Sequence, residues 1–86
     1  MSIDRIQAIK QRLQTLKPHS LEIIDDSDQH VGHASAGGAG HFTVRIASES
    51  FNGKTRIRQH QMVYACLQDM MPEHIHALSI HTETVD

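Results

Sequence analysis

Residues 42–47, with the sequence FTVRIA, alternate strictly between apolar and polar side chains. Phe42, Val44 and Ile46 share one face of an extended chain, and the residues between them share the other face. This pattern predicts a β-strand that buries one face and leaves the opposite face in water. The chain therefore needs a second layer that covers one side of a small sheet.

Two segments can supply that layer, because each carries one apolar stripe at helical spacing. The stripe of residues 3–16 recurs every three or four positions, and that of residues 56–71 follows the i, i+3, i+4, i+7 pattern. Pro18 and Pro72 are expected to end the two helices, and Ser2 is the expected N-cap of the first. The apolar positions are Ile3, Ile6, Ile9, Leu13 and Leu16 in the first helix and Val63, Cys66, Leu67 and Met70 in the second.

Two shorter segments, 21–25 and 74–82, are predicted to be strands, so the predicted order is α-β-β-α-β. Between the second strand and the second helix, residues 48–55 form a turn-rich connector that pivots at Gly53. The order predicts an α+β fold, a two-layer sandwich in which both helices cover one face of a three-stranded sheet.

The composition excludes several classes of protein. A formal charge of −2 at pH 7 is a weak electrostatic basis for binding nucleic acid. The single cysteine, Cys66, rules out an internal disulfide bond and fits a reducing compartment. The chain has no run of about 18 apolar residues and no apolar leader segment at its start. We expect a soluble cytoplasmic protein without membrane contact, with a single domain over residues 1–86.

No pairing of a nucleophile with a base stands out in the sequence, so we expect no enzymatic activity and no small-molecule substrate. Cys66 lies on the apolar stripe of the second helix, where a thiol is usually an inert core side chain. Ser48 or Ser50 could pair with a histidine, but no acidic residue is placed to orient that base.

Residues 30–41, HVGHASAGGAGH, hold three of the eight histidines and four of the five glycines. The segment lies between two predicted strands, so it is expected to be an insertion in a hairpin. Its GGAG sequence matches the GXXG loop of KH domains in letters only, because that loop joins two helices and this one carries no lysine or arginine.

Histidines in this segment and at the start of the last strand are candidate metal ligands. If the last strand pairs with either of the first two, its start lies near the glycine-rich segment. Two histidines can replace two cysteines at one iron of a 2Fe-2S cluster. On the last strand, His76 is expected to share a face with Leu78 and Ile80. The histidines concerned are His30, His33, His41, His74 and His76.

The series DDSDQHVGH, HFTVRIASESFNGK, RQHQMVYACL and IHALSIHT, in this order within residues 3–83, resembles the BolA family. The resemblance implies an α-β-β-α-β fold similar to class II KH domains. It also implies association with a monothiol glutaredoxin and a 2Fe-2S cluster shared between the two proteins. The glutaredoxin would supply its active-site cysteine and bound glutathione, and the isolated chain would bind no cofactor.

The resemblance also implies which residues ligate the cluster. His76 matches the near-invariant C-terminal histidine of the family. The second ligand comes from the loop between the first two strands, where His33 is favoured and His30 is the alternative. His41 is interpreted as the residue that opens the second strand.

The BolA family is also linked to transcriptional regulation, with DNA contact proposed through the second main helix. Lys54, Arg56 and Arg58 at the start of that helix are the candidate phosphate contacts, since a helix N-terminus offers free N–H groups. The family often shows an RHR run nearby, of which only the histidine, His60, is present here. The loss of two arginines weakens this alternative function.

Overall fold

The computed structural model describes residues 4–26, 40–71 and 73–85. The elements follow the predicted α-β-β-α-β order. They are α1 (Arg5–Leu13), β1 (Ser20–Asp25), β2 (Gly40–Ala47), α2 (Arg56–Leu67) and β3 (Ile75–Glu83). Short 3-10 turns follow both helices, at Gln14–Leu16 and Gln68–Met70, and a third, Glu49–Phe51, lies in the connector before α2.

The three strands form one mixed sheet in the order β1-β2-β3. β1 pairs antiparallel with β2 along its whole length, so the segment between them is the connection of a hairpin, as predicted. β3 pairs parallel with β2, with Gly40 opposite Ile75 and Ala47 opposite Glu83. The parallel pairing brings the starts of β2 and β3 to the same end of the sheet.

The core lies between the helices and one face of the sheet. Phe42, Val44 and Ile46 on β2 are buried in it, which confirms the alternation seen in the sequence. The opposite face of β2 carries residues that are partly or fully exposed, because both described helices pack on the same side. The buried apolar side chains are Ile9, Leu13, Leu16, Phe42, Val44, Ile46, Phe51, Val63, Leu67, Met70 and Ile75.

The first helix begins two residues later than its apolar stripe indicates. Asp4 caps α1, because its Oδ1 accepts a hydrogen bond of 3.1 Å from the backbone N–H of Gln7. The prediction of Ser2 as the N-cap is therefore wrong. Lys17 stands in the left-handed region, at φ 50°, one residue ahead of the proline that predicts the end of the helix.

A buried amide ties the second helix to its neighbours. Gln59 is only 8% exposed. Its Nε2 donates to the carbonyl oxygens of Phe51 (3.2 Å) and Lys54 (3.0 Å), and its Oε1 accepts from Thr82 Oγ1 (2.5 Å). The connector, α2 and β3 are thus joined at one side chain. Gly53 in the connector has φ +78°, as expected of the pivot of a turn.

An ion pair joins the two helices at the surface. Arg12 on α1 donates to Asp69 from Nε (2.9 Å) and Nη2 (2.7 Å), and this hydrogen bonding lowers the pKa of the Asp69 carboxyl. Since the folded-state pKa lies below that of the unfolded chain, the pair stabilises the fold fully above the unfolded value. That stabilisation is lost as the pH falls through the folded value.

We therefore expect Asp69→Asn to lower the free energy of unfolding at about pH 6 and to lower it less at about pH 2.5, because the ion pair is lost as the carboxyl takes up a proton. Urea denaturation at the two pH values measures both effects. Glu22→Gln is the control, because Glu22 lies 3.9 Å from Arg45 with both side chains largely exposed, and it should change little at either pH. An equal loss for Asp69→Asn at both pH values would contradict the assignment.

Candidate functional site

β3 enters the sheet through a β-bulge. Gly40 lies opposite Ile75 and the next residue, His41, lies opposite Ala77, so His76 is the extra residue on β3. His76 is exposed, whereas Ile75 is fully buried. The prediction that His76 shares a face with Leu78 and Ile80 is therefore wrong, because the extra residue shifts the alternation by one position.

The imidazoles of His76 and His41 lie side by side. Their ring centroids are 5.2 Å apart, and the ring planes meet at 51°. His41 precedes the buried Phe42 in β2, so strand alternation directs it to the uncovered face of the sheet. The interpretation that favours His41 as the residue that opens the second strand, over its place among the candidate ligands, does not include this contact with His76. The signal available in the sequence was a histidine near the start of both strands, GH and IH, which parallel pairing brings together.

The distance between the two ring centroids matches the distance expected for two imidazoles that bind one metal ion. Two imidazoles bound to one tetrahedral metal through M–N bonds of about 2.0–2.1 Å place their ring centroids roughly 5 Å apart. His41 is partly buried in the sheet, whereas the side chain of His76 is exposed to solvent and accessible to a partner. Within the described ranges, no group of three or more His, Cys, Asp or Glu residues could hold a metal ion. A metal bound by this pair would need further ligands from elsewhere.

The described residues on either side of residues 27–39 form hydrogen bonds beside this histidine pair. The backbone N–H of Asp26 donates to the carbonyl oxygen of His41 (2.8 Å), and that of Gly40 donates to the carbonyl oxygen of His74 (3.1 Å). Thr43 Oγ1 also donates to Asp26 Oδ2 (2.5 Å). The expectation that the last strand starts near the glycine-rich segment is confirmed at the end of that segment that the structure describes, Gly40 and His41. The predicted ligands at positions 30 and 33 fall on residues 27–39, outside the described residues.

The candidate phosphate contacts lie at the other end of β3. Thr55 caps α2, because its Oγ1 accepts a hydrogen bond of 3.1 Å from the backbone N–H of Arg58. Lys54, Arg56 and Arg58 are exposed, and none of them forms an ion pair within the described part of the chain. His60, also on α2, is partly buried. These residues are not brought together with the histidine pair.

Distances along β3 explain this separation. Gln59, in the first turn of α2, accepts a hydrogen bond from Thr82. Thr82 lies six positions beyond His76, which corresponds to about 20 Å along a strand. In the resemblance to the BolA family, Gln59 and Gln61 stand at the positions of the two arginines of the RHR run. The side chain of Gln59 is buried, whereas that of Gln61 is exposed.

The three side chains considered as nucleophiles, Ser48, Ser50 and Cys66, form hydrogen bonds or pack against the core. The hydroxyl groups of Ser48 and Ser50 both donate to the carbonyl oxygen of Leu16, at 2.5 and 3.1 Å. Cys66 is partly buried at the edge of the core rather than inside it, and this burial raises the pKa of its thiol. A thiol with a raised pKa stays protonated and weakly nucleophilic near neutral pH.

Neither α1 nor α2, the helices of the described residues, is long and apolar enough to cross a membrane.

Known proteins resemble this chain in both sequence and structure. The sequence profile of BolA-like proteins matches residues 13–86. The chain is 43% identical over 83 residues to SufE-like protein 1, chloroplastic/mitochondrial, of Arabidopsis thaliana, an alignment that covers 88% of this chain and 22% of that protein. It is 40% identical over 68 residues to the DNA-binding transcriptional regulator BolA of Vibrio cholerae, covering 79% of this chain and 62% of that protein. The chain thus spans less than two thirds of either relative.

A solved structure shares the whole fold. The BolA domain of SufE1 from Arabidopsis thaliana superposes with a TM-score of 0.82 at 39% identity, covering 98% of this chain and 95% of that one. The α+β architecture found here is therefore the architecture of that domain.

Proposed function

Because this chain belongs to the BolA-like protein family, we propose that it is a non-enzymatic accessory protein of iron–sulfur metabolism. Relatives in the family are named both as SufE-like or BOLA1 proteins and as transcriptional regulators. In this proposal the chain associates in the cytoplasm with a monothiol glutaredoxin and shares a bridging 2Fe-2S cluster with it. The single cysteine of the chain, which cannot form an internal disulfide bond, is compatible with that reducing compartment.

The observation that carries the proposal is the contact between His41 and His76. The two imidazoles lie 5.2 Å apart between ring centroids, the spacing of two ligands of one iron, and one of them is exposed. Two donors leave the other positions of the cluster to a second molecule, which agrees with a cluster held jointly with the glutaredoxin cysteine and glutathione. Imidazole ligation gives such a cluster a higher reduction potential than thiolate ligation alone.

His76 is one ligand in this proposal, and two candidates compete for the second position. His41 already lies beside His76. His33, with His30 as its alternative, lies in the sequence between Asp26 and Gly40, two residues that form hydrogen bonds beside the pair. The two assignments predict different results in alanine variants.

The proposal is tested by mixing the purified protein under anaerobic conditions with a glutathione-bound monothiol glutaredoxin that carries its cluster. We expect the visible absorption and circular dichroism of the cluster to change and to saturate at one chain per glutaredoxin. The cluster-free glutaredoxin mixed with the same protein is the control for spectral effects of simple association. Cluster spectra that stay unchanged with excess protein would contradict the proposal.

A second candidate function is DNA binding through α2. It is favoured by three exposed cations at the start of α2, Lys54, Arg56 and Arg58, that form no ion pair within the described residues, and by the DNA-binding function named for the Vibrio cholerae relative. The net charge of −2 weighs against it. DNA binding of this kind must weaken steeply with added salt and in Arg56→Ala and Arg58→Ala variants. Fluorescence anisotropy with duplex DNA measures both, and absent or salt-insensitive binding at neutral pH excludes this function.

A further inference from the structure

The solvent side of α2 carries apolar side chains where a surface helix is usually polar. Ile57 is 73% exposed and Tyr64 is 42% exposed. With Gln61 and Gln68 they recur at positions i, i+4, i+7 and i+11, which form one stripe along a helix. A shallow groove lined in part by Tyr64, Gln68 and Met71 continues the stripe. We call these five residues, Ile57, Gln61, Tyr64, Gln68 and Met71, the α2 outer face.

The α2 outer face is also neutral over nearly three turns. Residues 59–68 contain no Asp, Glu, Lys or Arg. Charged side chains on the exposed side of a helix normally keep that side hydrated. Covering an exposed isoleucine removes apolar surface from water, which is favourable. An apolar stripe without charges is typical of a surface that contacts another protein.

Charges of opposite sign lie at the two ends of this neutral stretch. Cations precede it, including Arg56 and Arg58, and the carboxylates of Asp69 and Glu73 follow it. Asp69 already binds Arg12, but 63% of its side chain remains exposed. Asp69 stands in the 3-10 turn after α2 and lines a shallow cleft together with Ala65. Arg58 lies seven residues before Ala65, which is two turns of α2, so Arg58 and Asp69 lie on the same flank.

This arrangement is complementary to itself when the helix is reversed. If two α2 helices pack antiparallel and are centred on Tyr64, Arg58 of each lies within one residue of the level of Asp69 of the other. Ile57 of each then faces the end of the other α2, where Met71 lines the groove with Tyr64 and Gln68, so apolar side chains meet apolar side chains. A two-fold axis generates both matches at once.

We propose that the α2 outer face binds the α2 outer face of a second copy of this chain, with the helices antiparallel and Tyr64 at the two-fold axis. One helix pair buries less surface than a standard stable interface, so the dimer is weak and depends on concentration. The histidine pair lies on the strands and not on α2, so this proposal is independent of the proposed cluster function.

Sedimentation velocity over a range from about ten micromolar to about one millimolar tests the proposal, because weak dimers populate in that range. We expect the sedimentation coefficient of the wild-type protein to rise with concentration. Tyr64→Asp and Tyr64→Lys should each raise the dissociation constant about tenfold or more, since like charges then meet at the axis. An equimolar mixture of the two variants should associate again, because aspartate then meets lysine.

Ile24→Thr is the matched control, because Ile24 is an exposed apolar side chain on β1, 37% exposed and away from α2. It should associate like the wild type. Circular dichroism checks that each variant is folded. A wild-type protein that stays monomeric throughout, Tyr64 variants that dimerise unchanged, or a mixture that does not associate would each overturn the proposal. Amide chemical shifts that change on dilution should map to residues 57–71, and changes confined to a strand edge would overturn it as well.

Discussion

His76→Ala is expected to abolish the change that this protein causes in the spectrum of a cluster-loaded glutaredoxin. His76 is one of only two ligands that the chain would supply, and its exposed ring is the one that a partner can reach. Replacing a residue that merely orients a metal ligand costs about 10–100-fold in metal affinity, so loss of a ligand itself should cost more than about a hundredfold. Titration of the glutaredoxin with each variant, followed by circular dichroism in the visible range, measures the loss.

His81→Ala is the matched control for this experiment. His81 is also an exposed histidine of β3, but it lies toward the other end of the sheet, in a shallow cleft with Glu22 and Arg45. The His81→Ala protein should change the spectrum of the cluster-loaded glutaredoxin as the wild type does. A His76→Ala protein that titrates like the wild type would exclude His76 as a ligand.

Two further variants decide the second ligand. Loss of the spectral change in His41→Ala with retention in His33→Ala assigns the second position to β2, where the ring contact with His76 is observed. The reverse result assigns it to the glycine-rich segment, as the resemblance to the family implies. His30→Ala completes the comparison, because His30 is the alternative within that segment.

Gln59→Ala is expected to lower the free energy of unfolding by about 2–4 kcal/mol, because each buried hydrogen-bonding group left without its partner costs about 1–3 kcal/mol. The substitution removes the hydrogen bonds that the Phe51 and Lys54 carbonyl oxygens accept and the one that the Thr82 hydroxyl donates. A domain of this size has a total stability on the order of 5–15 kcal/mol, so the loss is a large fraction of it. Urea denaturation followed by far-ultraviolet circular dichroism measures the difference.

Gln61→Ala provides the control on the same helix. Gln61 is exposed, so its replacement should change the unfolding free energy by less than about 0.5 kcal/mol. Similar effects of the two substitutions would show that the buried amide does not hold the connector, α2 and β3 together.

The two layers of the fold could be predicted from the sequence, because the spacing of apolar residues indicates which face of a helix or strand is buried. The alternation of β2 predicted that Phe42, Val44 and Ile46 are buried, and they are. Glycine at position 53 likewise predicted a turn, and its φ of +78° is the conformation that glycine adopts most easily.

Features that depend on a neighbouring element could not be predicted in this way. The bulge at His76 arises from the pairing of β3 with β2, and the sequence of β3 alone is compatible with unbroken alternation. Gln59 looks like a surface residue by type, but carbonyl groups at 51 and 54 and a hydroxyl 23 residues away satisfy it inside the fold. Ser2 and Asp4 both offer an acceptor oxygen, and only the position of the first helical turn shows which one caps α1.

The candidate site was predicted only in part for the same reason. His76 followed from the resemblance to the BolA family. Its contact with His41 depends on parallel pairing of strands that are separated by a whole helix in the chain. A histidine stands near the start of each strand, in GH and in IH, but no local pattern indicates that the two strands pair.

The most direct test of the cluster function is to detect a nitrogen atom of this chain bound to iron. The complex with glutaredoxin would be prepared with ¹⁵N-histidine in this protein only, its cluster reduced, and pulsed electron paramagnetic resonance used to record nitrogen hyperfine couplings. We predict strong couplings that switch with the isotope and that disappear in the complex with His76→Ala. A reduced cluster in the intact complex that shows no coupling to the labelled histidine would contradict the proposed ligation.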